Sequence, residues 1–235
     1  MAYLLHIGEK NYSSWSARPW ILMRQAGIPF QEHLVSLRED TEKAARMARL
    51  PAGRVPVLED DGLLVWDSLS IAEYLAERHP GLWPSDPKAR AFARSMCAEL
   101  HGGFQALRGG MSMDVRARRP QRKRTPELQA DIARIEALWT EARRRFGQGP
   151  RTAGRSGPGA SPSAHDMLFG SFTIADAYFA PVAFRFQTYG VEPAGEAGTY
   201  WRALLALPAV RAWEAEGRND VKLADHDLHV LYPED

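Results

Sequence analysis

Pro56 stands between Val55 and Val57 in a stretch that otherwise reads as a β-strand, and no other position limits the fold so tightly. Proline donates no N–H to a sheet ladder, so this residue must lie at a strand start, an edge or a bulge. A cis bond at Val55–Pro56 is expected, turning the backbone of Val55 outward where its N–H and C=O can pair with a peptide-like ligand. A short way on, Asp67-Ser68 opens an amphipathic helix. A carboxylate beside a helix N-terminus suits an amine and a carboxylate carried on one small molecule. Ser13-Ser14-Trp15-Ser16 follows the first strand and precedes a helix, so it brings hydroxyls to the same edge.

The pattern around these residues gives a fold class. Tyr3 to Ile7 reads as a strand, a helix starts near Ser16 with Pro19 in its first turn and Gly27 beyond its end, and Phe30 to Leu37 is a second strand. A short helical stretch runs from Thr41 to Leu50. Val55 to Glu59 and Leu63 to Trp66 flank Asp60-Asp61-Gly62, a hairpin signal. Ser68 to Arg78 is helical, with Ser70 and Glu73 in capping-box spacing. The order β-α-β-α-β-β-α is that of a thioredoxin-like domain, assigned to residues 1–80. Past Trp83-Pro84-Ser85-Asp86-Pro87 the strand signals stop, and residues 86–235 read as an all-helical domain. There the spacing predicts one helix from Lys88 to Leu107 with Phe92, Met96, Leu100 and Phe104 on a stripe, another opened by Thr125-Pro126, and two more over Phe172–Gln187 and Trp201–Glu216. Gly147 to Asp166, rich in Gly, Pro, Ser and Ala, reads as a mobile loop.

Composition narrows the function classes. A net charge of +1 gives no pull toward nucleic acid or a membrane surface. No apolar run nears the roughly 20 residues of a membrane span. The first residues read as a strand and not a signal peptide, and with the lone Cys97 this points to a reducing cytoplasm, without disulfide or cysteine-built metal cage. Arg116, Arg118, Arg119, Arg122, Lys123 and Arg124 form a basic run without interleaved aromatics, which reads as a solvated loop or as a field steering anionic substrates.

Val-Pro-Val-Leu, then a hairpin, then Asp-Ser-Leu-Ser-Ile-Ala-Glu-Tyr-Leu resembles the signature of the cytosolic glutathione S-transferases, and Phe172-Thr173-Ile174-Ala175-Asp176 is similar to that family's buried helix-capping motif. The resemblance covers nearly the whole chain. It implies glutathione as co-substrate, no metal, a small electrophile as second substrate and a homodimer. Ser13-Ser14-Trp15-Ser16 lines up with the Ser-Ser-Cys-Ser of the zeta class, whose first serine activates the thiol. That alignment implies Ser13 as the catalytic residue, with Ser14 and Tyr12 as alternatives. Trp15 stands where zeta isomerases of maleylacetoacetate carry cysteine, a departure from that class. The resemblance implies glutathione contacts at Ser14, Arg54, Val55, Pro56, Asp67 and Ser68, and position suggests Trp15, Leu107, Arg108, Met111 and Met113 for the second substrate. Thr173 and Asp176 carry over as structural only, and His101 reads as a packed or interface histidine. Ser13 and Ser14 also suit plain helix capping. The other readings left open are a non-enzymatic interaction module of the same fold, and a glutathione-dependent isomerase or peroxidase.

Overall fold

The computed structural model describes residues 3–38, 40–120, 123–147 and 166–220. Its first part runs β1 (Tyr3–Ile7), α1 (Ser14–Ala26), β2 (Phe30–Leu34), α2 (Lys43–Met47), β3 (Val57–Asp60), β4 (Leu63–Val65) and α3 (Ser68–Arg78). The sheet order is β2-β1-β3-β4. β1 and β2 pair in parallel, joined by the α1 crossover that such pairing needs, and the other pairs are antiparallel. Leu5, Ile7 and Leu58 join Ile71 and Leu75 of α3 in the main core, while Val57 packs with Val35 and Leu50 in a smaller cluster. Asp60 pairs with Leu63, leaving Asp61 (φ 50°) and Gly62 (φ 82°) as a two-residue turn with positive φ at both places. That is the turn an Asp-Gly pair favours.

The helical part comprises α4 (Pro87–Gly102), α5 (Gln105–Gly110), α6 (Pro126–Phe146), α7 (Ile174–Tyr189), α8 (Gly195–Ala206) and α9 (Pro208–Asn219). α7 is buried almost throughout and packs on α1, α4 and α8, so it is the post that joins the two parts. Thr125 caps α6 as its sequence suggests, accepting the Leu128 N–H at 3.2 Å. Thr173 and Asp176 form the capping box of α7, and the Asp176 carboxylate accepts from the N–H of Thr173 (2.8 Å), the Thr173 hydroxyl (3.0 Å) and the N–H of Leu168 (3.2 Å).

Four expectations change. The helix expected over Lys88–Leu107 ends at Gly102: Gly103 is extended, and Phe104 (φ 59°) caps the start of a separate six-residue helix. A Cβ on residue 103 would lie 2.8 Å from the Glu99 carbonyl oxygen, so the bend uses glycine's missing side chain. The Trp201–Glu216 helix is two, because Leu207 takes ψ 136° before Pro208. The residue ahead of proline is driven out of the helical region. Glu73 does not form a capping box with Ser70; Asp67 caps α3, and Glu73 instead accepts from Trp83 Nε1 at 3.1 Å and from Arg94. β2 stops at Leu34, short of Leu37. Residues 148–165 of the expected mobile loop lie outside the described residues. Among the described residues no helix is long and apolar enough to cross a membrane.

Candidate functional site

The strand registers bring three chain segments to one end of the sheet. His6 faces Val57 across the antiparallel β1–β3 pair, so the loop leaving β1 and the Val55–Pro56 segment entering β3 share that end. Val65 faces Leu58 across β3–β4, which delivers Trp66, Asp67 and Ser68 there too. The Val55–Pro56 peptide is cis, as its sequence context suggested. Arg54 is exposed and Val55 half-buried.

The loop from Gly8 to Ser13 is braced on both sides. Glu9 accepts from the Ser36 hydroxyl (2.7 Å) and the Leu37 N–H (2.8 Å). The buried Lys10 ammonium is shared between Glu32 and Glu216 of α9, with its charge 4.9 Å from the centre of the Trp20 ring. Asn11 donates its side-chain amide to Asp114 (2.8 Å) and its backbone N–H to Asp220 (2.8 Å), and accepts from the Arg116 N–H (3.1 Å). Ser13 holds the N-cap position of α1 yet its side chain caps nothing; the hydroxyl donates to Ser16 Oγ at 2.7 Å, which in turn accepts the Gly8 N–H. Simple capping is therefore not what this serine does. Ser14 Oγ accepts from Arg185 of α7 at 3.2 Å. Tyr12 is 7% exposed, with the Arg116 guanidinium 5.9 Å from its ring.

The N-terminus of α3 opens onto a second polar group. Asp67 Oδ1 accepts the Leu69 N–H at 2.9 Å and the Ser70 N–H at 3.4 Å, and Oδ2 lies 2.8 Å from His101 Nε2. Ser68 is fully buried, its hydroxyl 3.0 Å from Tyr178 Oη and accepting from Arg18 Nη1 at 3.4 Å. The Arg18 guanidinium lies between two rings, 4.1 Å from the centre of Trp15 and 4.4 Å from that of Tyr178. Its Nε has no hydrogen-bond partner, and burial lowers its pKa to about 10. Arg108 stands 4.7 Å from the Trp15 ring centre. Burial also pushes the thiol of Cys97 and the phenol of Tyr178 well up, so both stay protonated at neutral pH.

These positions redistribute the expected second-substrate residues. Trp15 and Arg108 meet and are partly exposed. Leu107, Met111 and Met113 are 1%, 1% and 2% exposed and belong to the core. They sit past the Gly103 bend that ends α4. The basic run lies at the surface, Arg118, Arg119 and Lys123 being exposed, and is held by contacts: Arg118 pairs with Glu214 (3.3 Å), Arg119 with Asp114 (3.9 Å), and Arg124 donates to the Gly190 carbonyl (3.2 Å). Arg122 lies outside the described residues. Sequence reading passed over Arg18 and Tyr178. Arg18 had one visible signal, a charged residue three places after Trp15 on a helix whose neighbours are otherwise apolar or small.

Residues 12–78 match the N-terminal domain model of the glutathione S-transferases, and residues 125–216 match the C-terminal one. Together the two models take in more than half of the chain. The chain belongs to the glutathione S-transferase family. A probable maleylacetoacetate isomerase of Caenorhabditis elegans is 35% identical over 100 residues, 42% of this chain and 46% of that protein. Mouse glutathione S-transferase theta-1 is 36% identical over 90 residues, 37% of this chain and 38% of that protein. The alignments thus span less than half the length of either relative. A Burkholderia glutathione transferase homolog solved with bound glutathione superposes with a TM-score of 0.63 at 22% identity, covering 93% of this chain and 99% of that one. It shares the fold: a four-stranded mixed sheet with its helices, then a helical domain.

Proposed function

We propose that the chain is a cytosolic glutathione transferase, joining the thiolate of glutathione to a small electrophile. The observation that carries this reading is the convergence of the Ser13 loop, the cis Val55–Pro56 edge and the Asp67-Ser68 helix start at one sheet end. Val55 pairs its backbone with that of the cysteinyl residue, beside Pro56 and Arg54. Asp67 takes the γ-glutamyl ammonium. The backbone N–H groups at the α3 N-terminus take the neighbouring carboxylate; the Ser68 hydroxyl, fully buried, lies behind them with the Arg18 cation 3.4 Å away and does not contact the ligand directly. Ser13 turns its hydroxyl from Ser16 to the bound sulfur and stabilises it as thiolate, while Ser14 fixes the first turn of α1 through Arg185. The sulfur then attacks the electrophilic carbon; with an aryl halide an S–C bond forms, halide leaves, and the thiol proton goes to solvent. Trp15 and Arg108 border the second-substrate side. A thioredoxin-like domain ending near residue 80, a helical domain from about residue 86 and a homodimer complete the proposal.

Retention on immobilised glutathione, followed by turnover with a panel of aryl halides, hydroperoxides and disulfides, tests it. Absence of both binding and turnover in a folded sample overturns the proposal in favour of a non-enzymatic module. A second reading, glutathione-dependent isomerisation, draws on the name of the C. elegans relative. Turnover of maleylacetoacetate without net consumption of glutathione decides for it.

A further inference from the structure

We infer, resting on the glutathione reading above, that His101 and Tyr178 are positioning residues for the amine end of the tripeptide, holding the Asp67 carboxylate in orientation. The contacts form a closed circuit. Asp67 Oδ2 meets His101 Nε2 at 2.8 Å, His101 Nδ1 meets Tyr178 Oη at 3.4 Å, and Tyr178 Oη meets Ser68 Oγ at 3.0 Å. The circuit leaves α3 at Asp67, passes through α4 and α7, and returns to α3 at the next residue. Nε2 faces a carboxylate and so carries the hydrogen; in the neutral ring Nδ1 is then the acceptor and the Tyr178 hydroxyl its donor. Both ring nitrogens are engaged, so His101 has none to offer a ligand as an acid or base. It acts through Asp67. One Asp67 oxygen caps α3 and the other is fixed by His101, yet the side chain is 50% exposed, so lone pairs remain for an ammonium group.

The charge on this circuit depends on the ring staying neutral. Burial lowers the His101 pKa below its usual 6.5, and Arg18 and Arg108 act the same way against the pull of Asp67. Glu73 and Glu77 of α3 share the open groove beside the ring and Tyr178 lies 6.4 Å from it, ring centre to ring centre. When His101 is neutral it lends Asp67 a hydrogen bond and leaves the carboxylate its whole charge. When His101 is protonated it pairs with Asp67, and a ligand ammonium competes for a carboxylate already neutralised. Affinity for the γ-glutamyl amine therefore falls on the acid side as His101 gains its proton.

Binding of S-methylglutathione, read by tryptophan fluorescence from about pH 4.5 to 7.5, isolates this effect because the ligand has no thiol to ionise. The wild type should lose about tenfold in affinity toward the acid end, equal to roughly 1.4 kcal/mol. An analogue lacking the α-amine should show no such loss. His101→Gln keeps a donor for Asp67 but cannot titrate, so its affinity, weaker than wild type at neutral pH, should be flat across the range. Tyr178→Phe should raise the Kd at all pH values while the acid loss persists. Thermal melts establish that each variant is folded. If the wild type binds no S-methylglutathione at any pH, the glutathione reading itself fails. If it binds but His101→Gln keeps the acid loss, or the amine-free analogue shows it equally, His101 does not govern the amine site.

Discussion

Ser13 Oγ donates to Ser16 Oγ across 2.7 Å, inside the first turn of α1 and without capping that helix. The proposed role of this hydroxyl is to turn from Ser16 to the glutathione sulfur. A hydrogen bond to a charged acceptor contributes about 1.5–3 kcal/mol, which lowers a thiol pKa by about 1–2 units. Ser13→Ala should lose most of its turnover, bind glutathione almost unchanged and show a pH–rate profile displaced upward by that amount. Ser14→Ala and Tyr12→Phe are the comparisons. If either gives the displaced profile and Ser13→Ala does not, the thiol is activated elsewhere.

Asp176 should matter for folding and not for chemistry. Burial lifts its carboxyl from an ordinary 3.8 to about 6, against the hydrogen bonds from Leu168 and Thr173 that pull it down. Between those values the folded state keeps a proton that the unfolded chain releases. Stability therefore falls as pH rises through that window, by on the order of 3 kcal/mol, and levels off above it. Asp176→Ala should flatten that slope in urea titrations at several pH values. At pH 7 it should lose about 2 kcal/mol, roughly 4–8 °C in Tm, with the KM for glutathione intact. Unchanged stability with lost turnover would reverse the assignment.

Gly217 of α9 should resist a change that helices usually welcome. A Cβ there would meet the Asn11 nitrogen at 3.1 Å and the Lys10 carbonyl carbon at 3.1 Å, both backbone atoms. Alanine for an interior helical glycine ordinarily stabilises by about 0.5–1 kcal/mol. Gly217→Ala should instead lower Tm, while Gly109→Ala, with nothing within 4 Å of its Cβ, should be neutral or better. Equal gains from both would mean that the Lys10–Asn11 backbone yields freely.

Cys97 should be chemically silent in the folded protein. It is fully buried and its thiol is held protonated by that burial. A thiol reagent such as dithionitrobenzoate should titrate no sulfur in native protein and one after denaturation. Rapid labelling of the native chain would place Cys97 on an accessible surface.

How far the sequence could be read followed the range of the forces involved. Local chemistry was legible: the Asp61-Gly62 turn, Thr125 before Pro126 and the Thr173–Asp176 pair each act within a few residues, and each is found where its spacing indicated. The breaks at Gly103 and Leu207 were written locally too, in a glycine pair and an X-Pro step, but the apolar stripes running past them hid the signal. Partners distant in sequence left no trace. Nothing near His101 announces Asp67, and nothing near Arg18 announces Ser68 and Tyr178. The burial of Leu107 and Met111 likewise goes with the packing of α5 against α6, and spacing alone does not report that.

The loop between β1 and α1 has a consequence for inheritance. Lys10 answers to Glu216, Asn11 to Asp114 and Asp220, and Gly217 stays bare to let that backbone pass. The segment belongs to the sheet-bearing part by sequence and is bonded to both parts. A chimaera that grafted the sheet-bearing half onto another protein's helices would carry a buried ammonium stripped of one carboxylate and an asparagine with its amide unmet. Recombination between such halves succeeds only where these contacts cross over together.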